Sequence, residues 1–404
     1  MIVLNIAIAL CVAYIVWSVV RFRANYAEAK TIGLPILSSP VKAAGPLWMS
    51  TKGFLIPILE KLPLGLGEWT SRAEVGWTYY TKFEVHAKYG DAFIIVSPGG
   101  NEIILAEPSA ADDVTRRRND FIKDPQMYGM LDIYGPNLDT VNGKVWDRHR
   151  KLTVPPFNEK NSALVWREAG EQAEQLRDSW CHKPQVRTTQ RDIYAVALNV
   201  LCGAGFGVHA KFVDEKHAPA SGSTAQNLGY RECLRLLLAN IVQLVILSAI
   251  QRSGWPRWLV WGQMREIGEA RDEFRGYMSK LLAKEREAFD QGDLDRHNLM
   301  SALVRAQAES QDGGLINKAS NLASGGLSED EVYGNLFIYS LAGHDTTAGA
   351  LHFAIVLLAI NPEWQDWIGE EIDAVRKTDP SGLCFYEEIF PKLQRCLALM
   401  VSST

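Results

Sequence analysis

The sequence lacks any C-x-x-C pair, and its six cysteines are too few and too scattered among 404 residues for a disulfide framework. A secreted, cross-linked fold is excluded, and free thiols in a reducing compartment are expected. Excess positive charge is missing as well: 42 lysines and arginines stand against 47 aspartates and glutamates, a formal net charge of −5. That balance draws no phosphate backbone to the chain as a whole, so nucleic acid is not an expected partner. The eight histidines are dispersed without the spacing of metal ligands, and no metal cluster is expected from them. No segment repeats. What the chain does have is bulk, with 47% hydrophobic and 22% charged residues, enough to bury a large core in one or two domains.

Residues 2–20 (IVLNIAIALCVAYIVWSVV) carry no charge and only Asn5, Tyr14 and Ser18 as polar interruptions. As a helix they reach roughly 28 Å, close to the thickness of a bilayer's hydrocarbon core. Arg21 and Arg23 follow at once, which by the positive-inside rule keeps the bulk of the chain in the cytosol. Ala27-Glu28-Ala29 also resembles a cleavage pattern, but no basic region precedes the apolar run, so residues 1–23 read as an uncleaved transmembrane signal anchor. Residues 24–64, punctuated by Gly33, Pro35, Pro40, Gly45, Pro46, Pro57 and Pro63, read as an extended connector. The body is expected over residues 65–404.

In that body, 77–89 has a helical pattern, and Phe93–Val96 and Ile103–Leu105 flank a turn as a β-hairpin. Helices are predicted near 109–117, 143–154, 161–180, 189–203, 230–250, 262–290, 297–308, 329–360, 362–376 and 391–400. The polar, Gly/Ser-rich stretches 213–228 and 309–327 read as surface loops. The segment 234–250 with Trp255, Trp258 and Trp261 fits tryptophans resting at a bilayer interface, core packing, or a second membrane span. The span is weakened by Arg235, Asn240 and Gln243.

One predicted helix stands apart. Ser328-Glu329-Asp330-Glu331 is a capping box and Pro362 a stop, enclosing an apolar helix expected to run through the middle of the protein. At its centre lies the polar island Gly343-His344-Asp345-Thr346-Thr347, with Gly349 beyond. Each interior glycine costs about 1 kcal/mol relative to alanine, and a buried carboxylate costs more unless paired. Such a breach of local rules marks a functional site. Thr346 can turn its hydroxyl back to the Ala342 carbonyl, and Gly343 lets a flat ligand approach the backbone. Asp345 beside Thr346 can relay protons, while the plain alternative is a buried helix whose polar groups satisfy one another.

Ala342-Gly343-His344-Asp345-Thr346-Thr347 resembles the oxygen-activation motif of the cytochrome P450 heme-thiolate monooxygenases, and Trp146-x-x-x-Arg150 resembles a second motif of that family at the matching distance. The resemblance implies a mainly α helical prism with a small β-region, incomplete at its C-terminus, bearing an N-terminal transmembrane helix. It implies heme as cofactor, with Trp146, His149 and Arg150 and, on the central helix, Ala342, Gly343 and Thr347 binding it, and Asp345 and Thr346 as catalytic proton donors. Lys144, Arg148, His149, Arg150 and Lys151 would help form the face where an NADPH-dependent reductase docks. The expected substrate is a lipophilic small molecule of secondary metabolism, oxidised with dioxygen at the endoplasmic reticulum membrane. The family's cysteine loop and Glu-x-x-Arg helix have no match: 391–400 resembles the start of that helix, but Val401-Ser402-Ser403-Thr404 follows it. None of Cys11, Cys181, Cys202, Cys233, Cys384 and Cys396 lies in such a loop. The expectation is a chain without a heme thiolate and without turnover, with a non-catalytic membrane-anchored binding protein as the alternative.

Overall fold

A computed structural model describes residues 2–43, 45–63, 68–212, 229–252, 254, 261–292, 298–312, 326–378 and 385–403. They fall into two units, Met1–Ile122 and Lys123–Thr404. The first contains α1 (Ile2–Ile32), β1 (Ile36–Ser38), α2 (Pro46–Leu59), α3 (Trp77–Thr81), α4 (Glu84–Tyr89), β2 (Ala92–Ser97), β3 (Gly100–Leu105) and α5 (Pro108–Arg116).

The unit is organised by β2, whose run Phe93–Val96 is buried on both faces and so shows no polar alternation. Phe93 and Ile95 pack with Leu37 and Trp77 on one side, Ile94 and Val96 with Ala29 of α1 on the other. The predicted hairpin is present, with Ile94 opposite Ile103, and a third strand joins it, β1 running parallel with Ile36 opposite Ile94. The reading of 24–64 as an extended connector is corrected. α1 continues to Ile32 and ends where Gly33 takes φ +78°, and its lower half is tied to the sheet by Asn25 Nδ2 donating to the Ser97 carbonyl at 2.7 Å. Pro46 starts α2 instead of breaking it, because a first-turn residue needs no amide partner. The upper half of α1 leaves Val12, Ile15, Val16, Trp17 and Val20 exposed. Side chains 2–4, 6, 7 and 10 of the expected anchor lie outside the described residues.

The second unit contains α6 (Pro125–Tyr128), α7 (Gly143–Thr153), α8 (Glu159–Cys181), α9 (Thr189–Phe206), α10 (Tyr230–Ala239), α11 (Ile241–Arg252), α12 (Gln263–Asp290), α13 (Leu299–Asp312), α14 (Glu329–Ile360), α15 (Pro362–Lys377), α16 (Tyr386–Ile389) and α17 (Gln394–Ser403). Its core gathers Phe274, Met278 and Leu282 of α12, Leu234 and Leu237 of α10, Met300 and Leu303 of α13, and Val332, Leu336 and Phe337 of α14. Two expectations are corrected here. The apolar stretch 230–250 is broken at Asn240 by an 88° bend, where Asn240 Nδ2 caps the Leu236 carbonyl and Asn240 Oδ1 accepts from Gln263. Leu234, Leu237, Leu244 and Leu247 are core residues, so packing and not a straight span accounts for this segment. Trp255 and Trp258 lie outside the described residues, as do the loops 213–228 and 313–325. The long helix, for its part, runs through the core only in its first half. Val332 to Ser340 is mostly buried, whereas beyond Leu341 one face is open. By length and composition α14 is apolar and long enough to cross a bilayer, but its first half already serves as core.

Candidate functional site

The capping box forms as the sequence predicts: Ser328 Oγ accepts from the Glu331 amide, and Glu331 Oε2 accepts from the Ser328 amide at 2.8 Å. The helix then continues unbroken past the polar island. Ala342, Gly343, Asp345, Thr346 and Thr347 lie on its exposed face, while His344 and Ala348, one turn apart, point inward. The Thr346 hydroxyl donates to the Ala342 carbonyl at 2.6 Å, the bond expected of it. A β-carbon added at Gly343 would meet only Leu201 Cδ1, at 3.7 Å, and one added at Gly349 would meet nothing within 4 Å. The result is a shelf poor in side chains, with an acid and an alcohol at its edge.

Sequence reasoning missed what holds the inner face. His344 Nε2 is 3.1 Å from the backbone carbonyl of Tyr194 on α9, and the two rings meet edge to face at 5.5 Å. Since a carbonyl only accepts, Nε2 carries the proton; Nδ1 is then a bare acceptor, buried and without a partner among the described residues. Burial pulls the His344 pKa down, so the ring is neutral near pH 7. Neither contact has a local signal, since 150 residues separate Tyr194 from His344.

On α7, Trp146 and Arg150 do share a face, with the guanidinium 5.2 Å above the indole. Arg150 is exposed and has no carboxylate partner among the described residues. His149 is a correction. It is fully buried, Nδ1 accepting from Asn335 Nδ2 at 3.0 Å and Nε2 lying 3.2 Å from Glu331 Oε1, so neither nitrogen is free for a cofactor. Arg148 is likewise withdrawn from any docking face. It grips both Glu331 oxygens, at 3.0 and 2.5 Å, and the Gly326 carbonyl at 2.8 Å. Lys144, Arg150 and Lys151 stay exposed. Burial pushes the Glu331 carboxyl up, but hydrogen bonds from His149, Arg148 and the Ser328 amide outweigh it and hold the group well below the usual carboxylate range. The same lattice reaches the preceding loop, where Asn335 Oδ1 accepts the Leu138 amide at 2.9 Å.

The model of the family described as Cytochrome P450 matches residues 66–385, the greater part of the chain, and so takes in both the shelf and the Trp146–Arg150 pair. The chain belongs to the cytochrome P450 family. Among similar proteins, cytochrome P450 monooxygenase ORF6 of Penicillium roqueforti is 31% identical over 374 residues, covering 90% of this chain and 62% of its own length. A cytochrome P450 monooxygenase of the phomenoic acid biosynthesis cluster of Leptosphaeria maculans is 29% identical over 401 residues, covering 93% of this chain and 66% of the relative. One from Arthrobotrys oligospora is 28% identical over 420 residues, covering 99% and 69%. The chain thus spans about two thirds of the length of these curated P450 relatives.

P450 membership implies heme, and the residues described fit one side of it. The shelf offers a flat group an unobstructed approach at Gly343 and Gly349, and Arg150, steadied on Trp146, suits an acidic substituent. A thiolate to hold its iron would be another matter. Cys202 and Cys233 are sealed in the core, and burial pushes both thiols up to about 12. Burial and the neighbouring Glu371 raise Cys396. Cys11 on α1 and Cys181 at the end of α8 are exposed free thiols, and Cys384 lies outside the described residues. No described cysteine is part of the shelf.

Proposed function

We propose that the chain carries the oxygen-handling elements of a membrane-bound P450 monooxygenase that oxidises a lipophilic small molecule of secondary metabolism. The observation that carries this reading is the shelf itself: an open face of Ala342, Gly343 and Thr347, edged by Asp345 and by a Thr346 hydroxyl bonded to Ala342. Arg150, with Trp146 beneath it, would hold a heme propionate, and Ala342, Gly343 and Thr347 would lie against the macrocycle. Heme bound there supplies the reductive activation of dioxygen. Asp345 exchanges protons with solvent and passes them to the Thr346 hydroxyl, whose proton is otherwise committed to the Ala342 carbonyl. Electrons would come from an NADPH-dependent reductase docking on a face that includes Lys144 and Lys151. α1 would anchor the protein in the endoplasmic reticulum membrane by a single pass, with the body in the cytosol. The relative from the phomenoic acid cluster supports the secondary-metabolism assignment.

In the heme-loaded protein, Asp345→Asn and Thr346→Ala should each lower product formed per dioxygen consumed by about tenfold or more, the scale of a lost proton donor. Full coupling in both variants would remove the proton-delivery roles.

A second reading is favoured by the described cysteines, none of which lies at the shelf: a membrane-anchored protein that binds a lipophilic ligand without turnover. The 404-residue polypeptide, expressed alone and supplied with heme, should then show no thiolate-type band in its carbon-monoxide difference spectrum. Such a band would instead establish the enzyme reading for these residues themselves.

A further inference from the structure

We propose that α1 is a rigid mast that seats the β2–β3 turn against the headgroups of an anionic bilayer, with Arg21, Arg23 and Lys42 as the contacting cations. The proposal rests on the reading of α1 as a single-pass anchor and adds what that anchor does to the sheet it carries.

The apolar and the sheet-packed halves of α1 are one helix. Ile2–Ile32 runs as 31 helical residues with no glycine or proline among them, so the common causes of a kink are missing. Its lower half is fastened on both sides of the turn. Asn25 Nδ2 donates at 2.7 Å to the carbonyl of Ser97, the last residue of β2, and Asn101 Nδ2 on β3 donates to the Asn25 carbonyl at 3.0 Å. The Ser97 hydroxyl closes the turn on the Gly100 carbonyl at 3.0 Å. Further down, Ala29 is sealed against Ile94 and Val96, with Phe22 and Tyr26 packed beside them. Asn25 meets the end of β2 while Ala29 meets its middle, so helix and strand run in opposite directions and the turn points toward the apolar half. A sheet held at this many points cannot swing on its anchor as it would on a Gly/Ser tether.

Distance sets where the turn comes to rest. Val20 ends the uncharged run, and Asn25 lies five residues on, about 7.5 Å of helix. The polar layer of a bilayer is roughly 5–8 Å deep on each side. Pro98 and Gly99, on the apolar side of Ser97, therefore reach that layer when residues 2–20 fill the hydrocarbon core. The charges nearest them on α1 are cations. Arg21 and Arg23 are exposed, and the Lys42 stem lies across Gly99, its Cβ 2.7 Å from where a β-carbon at that glycine would stand. The acids stand farther from the turn: Glu28 about one helical turn below Asn25, with Asn101 Nδ2 at 3.4 Å, and Glu102 beyond Asn101 on β3. Anionic headgroups suit such a cluster.

The test uses the 404-residue chain in vesicles of phosphatidylcholine and phosphatidylserine in equal parts, doped with a phospholipid bearing a photoactivatable diazirine on its headgroup. Co-sedimentation reads the anchor, and lipid adducts mapped by mass spectrometry read the turn. The wild-type protein should sediment and carry adducts on residues 39–43 and 97–102. A flexible Gly-Ser segment inserted between Val20 and Arg21 should leave sedimentation and the circular-dichroism melt intact while lowering those adducts by about fivefold or more, because a random coil no longer fixes the height of the sheet. Arg21→Gln, Arg23→Gln and Lys42→Gln together should lower the adducts severalfold in these vesicles and leave them unchanged in phosphatidylcholine alone. Sedimentation without turn adducts, or adducts indifferent to the insertion, would overturn the proposal and leave the anchor standing. Adducts indifferent to the triple substitution would overturn the role of the cations. Failure of the wild-type protein to sediment would remove the anchor reading itself, and the mast with it.

Discussion

At the scale of single residues, Glu331 does two jobs: it caps the central helix and gives Arg148 its counter-charge while accepting from His149. Its side chain is only 12% exposed, so Glu331→Gln leaves a buried guanidinium without its counter-charge. The expected cost is about 3 kcal/mol in denaturant unfolding at pH 7. The pH dependence has a definite sign. A carboxyl held lower in the folded state than its unfolded value of 4.5 contributes fully above that value and progressively less below it. The wild-type protein should therefore lose stability as pH falls below about 4.5, and the variant should lose less over the same interval. Two glycines of the same helix behave oppositely. A β-carbon at Gly334 would collide with the Gly135 carbonyl and come within 2.8 Å of the Pro136 carbonyl, whereas Gly349 has open space. Gly334→Ala should destabilise by at least about 2 kcal/mol, and Gly349→Ala should stabilise by up to about 1 kcal/mol, both read from unfolding midpoints. The gain at Gly349 would come with a methyl group on the shelf, so heme uptake should suffer there while stability improves.

At the scale of elements, legibility followed the range of the interaction. The capping box and the Thr346–Ala342 bond span three and four residues, and both stood in the sequence as they stand in the fold. The hairpin and most helices were legible for the same reason, being set by local periodicity and by proline and glycine punctuation. Failures came where a distant partner decided. Ile36–Ser38 becomes a strand only because β2 offers an edge to it. His149 read as part of a basic face until a glutamate 182 residues away turned it inward. Asn240 in an apolar run gave little sign that its side chain would cap the Leu236 carbonyl and let the chain turn sharply. Tyr194 carried no motif at all.

At the scale of the whole molecule, α1 divides into an apolar, exposed upper half and a lower half packed on the sheet. Its upper half exposes Val12, Ile15, Val16 and Trp17, while Asn25 and Ala29 below them belong to the sheet. Removing residues 2–20 should free the protein from sedimenting membranes and leave its circular dichroism and melting behaviour intact. Removing 2–32 should also uncover Ile94 and Val96 and cause aggregation or a lower melting temperature. Equal behaviour of the two deletions would mean that the sheet does not need its helix. A different long-distance dependence governs the shelf. Fifteen residues, about 22 Å of helix, separate Thr346 from the carboxylate that pins the helix start. The rod is thus fastened twice, at Glu331 and again where α9 meets His344, so how far its acid and alcohol project is set by anchors on its other side.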